Sequence, residues 1–182
     1  SKNIYIMRIC LVTSKQSKYD DRVYYKEAYT LARAGHKVYI IGNYKDEEDA
    51  LGIVWIGYDN SGNYFTKIQN LFKKAISLKP DFLQFYDSLH INQAVKAKNN
   101  GIKVVLNLSE SFSEMYRDVS RKSKLLGEIM AQYISWKENQ WAHYWDGIIV
   151  TDNSLYNRFI KLRDDVCLIH LYPLLSLFNS FI

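Results

Sequence analysis

The chain has 182 residues, 48% hydrophobic and 24% charged, which is enough for one domain with a real core and too few for two large ones. With 2 prolines, 8 glycines and no low-complexity stretch, collagen-like, linker-like and disordered classes are excluded. The formal charge of +5 fits an anionic partner such as a nucleotide or a phospholipid surface, and the 15 tyrosines hint at a large contact surface.

The pattern predicts a β-α-β opening from Arg8 to Gly42, with residues 1–7 as an expression remnant or unstructured start. Ile9 to Thr13 is a short apolar run, as in a strand buried on both faces. A glycine-free loop, Ser14 to Tyr19, follows; Asp20 and Asp21 are placed to cap a helix whose inner face is Tyr24, Ala28, Leu31 and Ala32. Gly35 fits the helix end, His36 is expected to satisfy carbonyls there, and Lys37 to Ile41 is the second strand. The alternation continues. Strands are expected at Ile53–Ile56, Phe82–Tyr86, Lys103–Leu108, Gly147–Thr151 and Val166–His170. Helices are expected at Tyr64–Leu78, from a Ser88 cap to Asn100, over most of Ser113–Tyr144, and from Ser154. Alternating apolar strands and helices predict a doubly wound α/β fold: a mostly parallel, Rossmann-like sheet with helices on both faces. The domain is expected to span residues 8–173, with 174–182 a tail or the start of a crossover to another domain.

Cys10 and Cys167 both lie in apolar runs that read as buried strands, so a reducing compartment and a cytoplasmic location are expected. No run has the length of a membrane span, no metal-ligand spacing appears, and no metal is expected.

Open parallel sheets bind ligands beyond the carboxyl ends of their strands. That rule selects Lys15, Asp21 and Arg22 after strand one, then Asp87, Ser88 and His90, then Glu110, and finally Asp152. Asp87 is the candidate catalytic group, because a strand-end carboxylate can accept hydrogen bonds from hydroxyls or act as a base. The others are candidates for substrate binding. Helix capping is the competing role for Asp21 and Ser88, and a surface ion pair is the competing role for Arg22. The glycine-free first loop argues against NAD, FAD and P-loop nucleotides, and no nucleophile elbow is present. A nucleic-acid role rests on charge alone and lacks any motif, so no nucleic acid is expected as a partner.

Several segments, in order, resemble the amino-terminal half of family 4 glycosyltransferases of the GT-B fold. They are Asp21-Arg22-Val23, Glu27-Ala28, the run Leu31 to Val38, Phe85-Tyr86-Asp87-Ser88-Leu89, Val104 to Glu110, Asp146 to Thr151, and His170-Leu171-Tyr172-Pro173. The family's usual glycine pair in the first loop is missing, and Tyr86 and Leu108 stand where it has histidines. The resemblance implies a hexosyltransferase-class enzyme, usually retaining and metal-free, with a nucleotide-sugar donor and a sugar or lipid-linked acceptor. It implies that this half holds mainly the acceptor and that the carboxyl-terminal donor domain lies outside this chain, leaving it inactive alone. The alternative is a non-catalytic binding or partner subunit of a split glycosyltransferase.

One segment leaves two readings open. Arg117, Arg121, Lys122 and Lys124 precede Leu125, Leu126, Ile129, Met130, Tyr133, Ile134 and Trp136 at partial helical spacing. The commoner reading buries that stripe in the core with the lysines in solvent. The other is peripheral contact at the inner face of a membrane.

Overall fold

A computed structural model describes residues 5–111, 113–115 and 124–170 of the chain. The expected boundary near 173, the tail 174–182, and Arg117, Arg121 and Lys122 lie outside the described residues.

Among the described residues eight strands form one sheet: β1 (Arg8–Val12), β2 (Lys37–Gly42), β3 (Glu47–Glu48), β4 (Val54–Gly57), β5 (Phe82–Phe85), β6 (Lys103–Leu108), β7 (Gly147–Val150) and β8 (Val166–Leu168). Their spatial order is β3-β4-β2-β1-β5-β6-β7-β8. Every described pairing is parallel except that of β3 with β4. β3 is the one strand the sequence pattern misses. It is two glutamates long, so it carries no apolar signal, and its charges suit an exposed sheet edge.

The longer helices among the described residues are α1 (Asp21–Ala28 continuing into Tyr29–Arg33), α2 (Tyr64–Ser77), α3 (Ile91–Asn99), α4 (Lys124–Trp141) and α5 (Asn153–Phe159). Alternation along the strands separates two cores. Cys10 and Val12 of β1 join Leu83, Phe85, Leu106 and Ile148 beneath α2, α3, α4 and α5. Ile9 and Leu11 face the other way, with Ile40, Trp55 and Tyr86, beneath Val23 and Ala28 of α1. The doubly wound α/β architecture is therefore present, with helices on both faces of the sheet. Helix α2 shows the logic locally. Ile68, Leu71, Phe72 and Ala75 are buried at i, i+3, i+4 and i+7, and each large side chain contributes about 1.5–3 kcal/mol by leaving water.

The first eight residues of α1 are wound more widely than an α-helix, as a π-helix. Side chains five apart then line up, where an α-turn would align those three or four apart. Arg22 Nε lies 3.9 Å from Glu27 Oε1, and Lys26 Nζ 2.5 Å from Asp21 Oδ2.

Several local expectations need correction. Asp20 alone caps α1, accepting from the backbone N–H groups of Arg22 and Val23. The turn into α3 is capped by Asp87, not Ser88, and Asp152 caps α5 ahead of Ser154. The His36 ring accepts from the Met7 N–H instead of serving helix carbonyls, and Met7 is thereby tied to the sheet. Cys10 is buried, but Cys167 is exposed, because β8 is an edge strand. Leu125, Leu126, Ile129, Tyr133 and Trp136 are exposed, so the core reading of the α4 stripe holds for Ile134 and fails for those five. No helix among the described residues is long and apolar enough to cross a membrane.

Candidate functional site

The chain leaves β1 toward β2 on one side and returns through α2 to β5 on the other, so the winding reverses between β1 and β5. That reversal leaves a crevice beyond the carboxyl ends of the two strands, where open α/β sheets bind ligands. A cavity of about 160 Å³ lies there, and its wall includes Ser14, Lys15, Tyr86, Asp87, His90 and Glu110. Four of the residues selected from sequence, Lys15, Asp87, His90 and Glu110, thus meet in one place.

Asp87 is 5% exposed. Its Oδ1 accepts from the Leu89 N–H at 2.9 Å, which holds the carboxylate in orientation. Its Oδ2 has no hydrogen bond among the described residues. Lys15 Nζ stands 3.4 Å from that oxygen and His90 Nε2 3.9 Å from it. Tyr64 Oη lies 3.4 Å from the same imidazole nitrogen. Burial pushes the His90 imidazole down to about 4; the Asp87 charge opposes that and the Lys15 charge adds to it. His90 is therefore neutral at pH 7, and the site presents an oriented carboxylate beside an exposed ammonium. Such a pair can accept a hydrogen bond from a hydroxyl and attract a negatively charged group.

The remaining candidates are placed elsewhere. The Ser88 hydroxyl donates to buried Glu138 at 2.5 Å, and Glu138 is held by Arg158 at 2.6 Å, so Ser88 clamps the start of α3 to α4 and α5. Asp21 is exposed and pairs with Lys26 on the outer side of α1. Asp152 stands at the end of β7 and spends one oxygen on the Leu155 N–H. Arg22 is 8% exposed, and its guanidinium carbon lies 4.8 Å from the centre of the Tyr86 ring, behind the cavity wall.

Behind that wall is a polar network the sequence does not display. Glu27 Oε2 accepts from Tyr86 Oη at 2.6 Å and from Gln84 Nε2 at 2.5 Å, and Oε1 accepts from Asn107 Nδ2 at 2.9 Å. Burial raises the Glu27 carboxyl above its ordinary value, against the opposing pull of Tyr86, Arg22, Gln84 and Asn107. The network ties α1 to β5 and β6 and fixes Tyr86, the residue immediately before Asp87.

Among the described residues no group of three or more His, Cys, Asp or Glu side chains is arranged to hold a metal ion.

No family model matches the chain, and no curated protein matches it in sequence. Its fold is matched by solved structures. Sucrose-phosphate synthase from Thermosynechococcus elongatus superposes with a TM-score of 0.71 at 13% identity, over 94% of this chain and 49% of that one. The calicheamicin glycosyltransferase CalG4 superposes with a TM-score of 0.55 at 10% identity, over 93% of this chain and 53% of that one. The chain spans about half the length of each. The class defined here is a Rossmann-like α/β domain similar to one half of GT-B glycosyltransferase structures. At these identities the likeness speaks for the fold alone.

Proposed function

We propose that this chain is the acceptor-side, amino-terminal domain of a family 4, GT-B glycosyltransferase, a retaining enzyme that takes its sugar from a nucleotide-sugar donor without a bound metal. The observation that carries the reading is the cavity at the β1/β5 reversal, lined by Lys15, Asp87, His90 and Glu110, in a fold shared with half of two glycosyltransferase structures. Asp87 Oδ2, oriented by the Leu89 N–H, accepts the hydrogen bond of the acceptor hydroxyl. Lys15, 58% exposed at its side chain, draws the donor phosphate or an anionic acceptor to the same edge. Neutral His90 and Glu110 form the acceptor's polar wall. The donor half comes from outside these residues, and the chain alone is inactive.

Joined to or mixed with a donor-binding half and offered a panel of nucleotide sugars and acceptors, the chain should support sugar transfer. Asp87→Asn should lower that rate by about 100-fold or more with the fold intact. No transfer across the panel, or full transfer by Asp87→Asn, would contradict the proposal.

A further inference from the structure

Helix α4 is apolar on two adjacent faces. Gly127, Ala131 and Ile134 are buried with the paired Glu138, and they face the core. Glu128, Gln132, Ser135 and Asn139 take a polar face. The third face carries Leu125, Ile129, Tyr133 and Trp136, which are 71%, 53%, 45% and 54% exposed. It runs about 16 Å along the helix. Across from it, at the start of α2, Phe65 is 77% exposed. Between the two helices lies a groove of about 500 Å³, floored by Leu89 and Ile91 and walled by Tyr64, Phe65, Met130 and Tyr133. A contiguous apolar face of this size on a helix that already has a core contact marks an interaction surface.

The charges around it choose the partner. Among the described residues lining the groove, the charged ones are Lys15 and Lys137, both cationic. Lys124 begins the same helix, and the whole chain carries +5. Lys137 Nζ lies 5.9 Å and 5.7 Å from the ring centres of Tyr133 and Trp136, so a cation and two amphipathic rings sit together at one level. Interfacial helices combine apolar and aromatic side chains with cations in this way when they dock on anionic lipid. Lys15 lines both this groove and the cavity of the candidate site, so the two share a wall.

We infer that the α2–α4 groove and the exposed face of α4 dock on an anionic lipid surface and hold the β1/β5 cavity against it, so that the acceptor is lipid-borne. The docking does not depend on the transferase reading; the acceptor class does, since it rests on that reading of the cavity.

Vesicle sedimentation of the 182-residue chain separates the two. Vesicles of phosphatidylglycerol and phosphatidylcholine should bind the chain, and vesicles of phosphatidylcholine alone should bind it about tenfold more weakly. Ile129→Glu and Trp136→Glu, at exposed positions that leave the core alone, should each lower the partition coefficient about tenfold at unchanged circular dichroism. Lys137→Glu should abolish the preference for the anionic lipid. Absence of binding to either vesicle overturns the inference. So does a concentration-dependent dimer that Ile129→Glu dissolves in a chain that ignores lipid, because the face is then covered by a second copy. Lipid binding without sugar transfer in the two-half assay would keep the docking surface and defeat the transferase reading alone.

Discussion

The candidate site is made by residues whose side chains are held from behind. Glu27 accepts three hydrogen bonds, from Gln84, Tyr86 and Asn107, and lies beside buried Arg22. Glu27→Ala leaves those donors without an acceptor and the guanidinium without its partner, and should cost about 2–4 kcal/mol in urea unfolding at pH 7. His90 gives a second prediction. Its folded pKa of about 4 lies below the ordinary histidine value, so the unfolded chain binds the proton more readily. The stability that neutral His90 contributes is complete above about pH 6.5, and on the order of 3 kcal/mol of it should be lost as pH drops toward 4. His90→Gln should flatten that slope in pH-dependent unfolding, and the wild-type imidazole should titrate near 4 by NMR. The Glu27 network was not legible in the sequence, since residues 27, 84, 86 and 107 are joined only by the strand order. Lys15, Asp87, His90 and Glu110 were legible because one rule about strand ends selects them. The same rule selected Ser88, Asp21 and Asp152, whose side chains serve a clamp, a surface pair and a cap.

At the level of elements, apolar runs found every strand of the sheet interior, since a strand buried on both faces has to be continuously apolar. Gly35 was found at a helix end, with a φ of 91°. The wide winding of α1 escaped, because helical periodicity is read at 3.6 and the salient pairs in α1 are five apart. Its start depends on Asp20, whose Oδ1 accepts two backbone N–H groups at 3.0 and 2.9 Å. Asp20→Ala should therefore destabilise the chain by about 1 kcal/mol, and Asp21→Ala, which breaks a surface pair, by much less, in parallel thermal or urea melts. Helix α4 shows the opposite limit of periodicity. A stripe of Leu, Ile, Tyr and Trp looks the same whether it meets the core or a partner, and the third dimension decides that Ile134 is core while Ile129 is not.

At the scale of the molecule, the winding reversal between β1 and β5 does three things at once. It splits the core into two layers, it opens the cavity, and it sets that cavity at the end of the apolar groove through Lys15. The fold was legible from alternation alone, and it is the fold that sucrose-phosphate synthase and CalG4 show over about half their lengths. The opening β-α-β unit, which by topology could have served a dinucleotide, instead presents Lys15 from a glycine-free loop against Asp87. On the proposed function, this cavity binds the sugar acceptor. The most direct measurement is an NMR titration of the isotopically labelled 182-residue chain with neutral sugars, sugar phosphates, nucleotide sugars and a water-soluble short-chain lipid phosphate. Shift changes centred on Lys15, Asp87, His90 and Glu110, weakened by Asp87→Asn, are the predicted result. Changes confined to other surfaces, or none with any member of the panel, would contradict it.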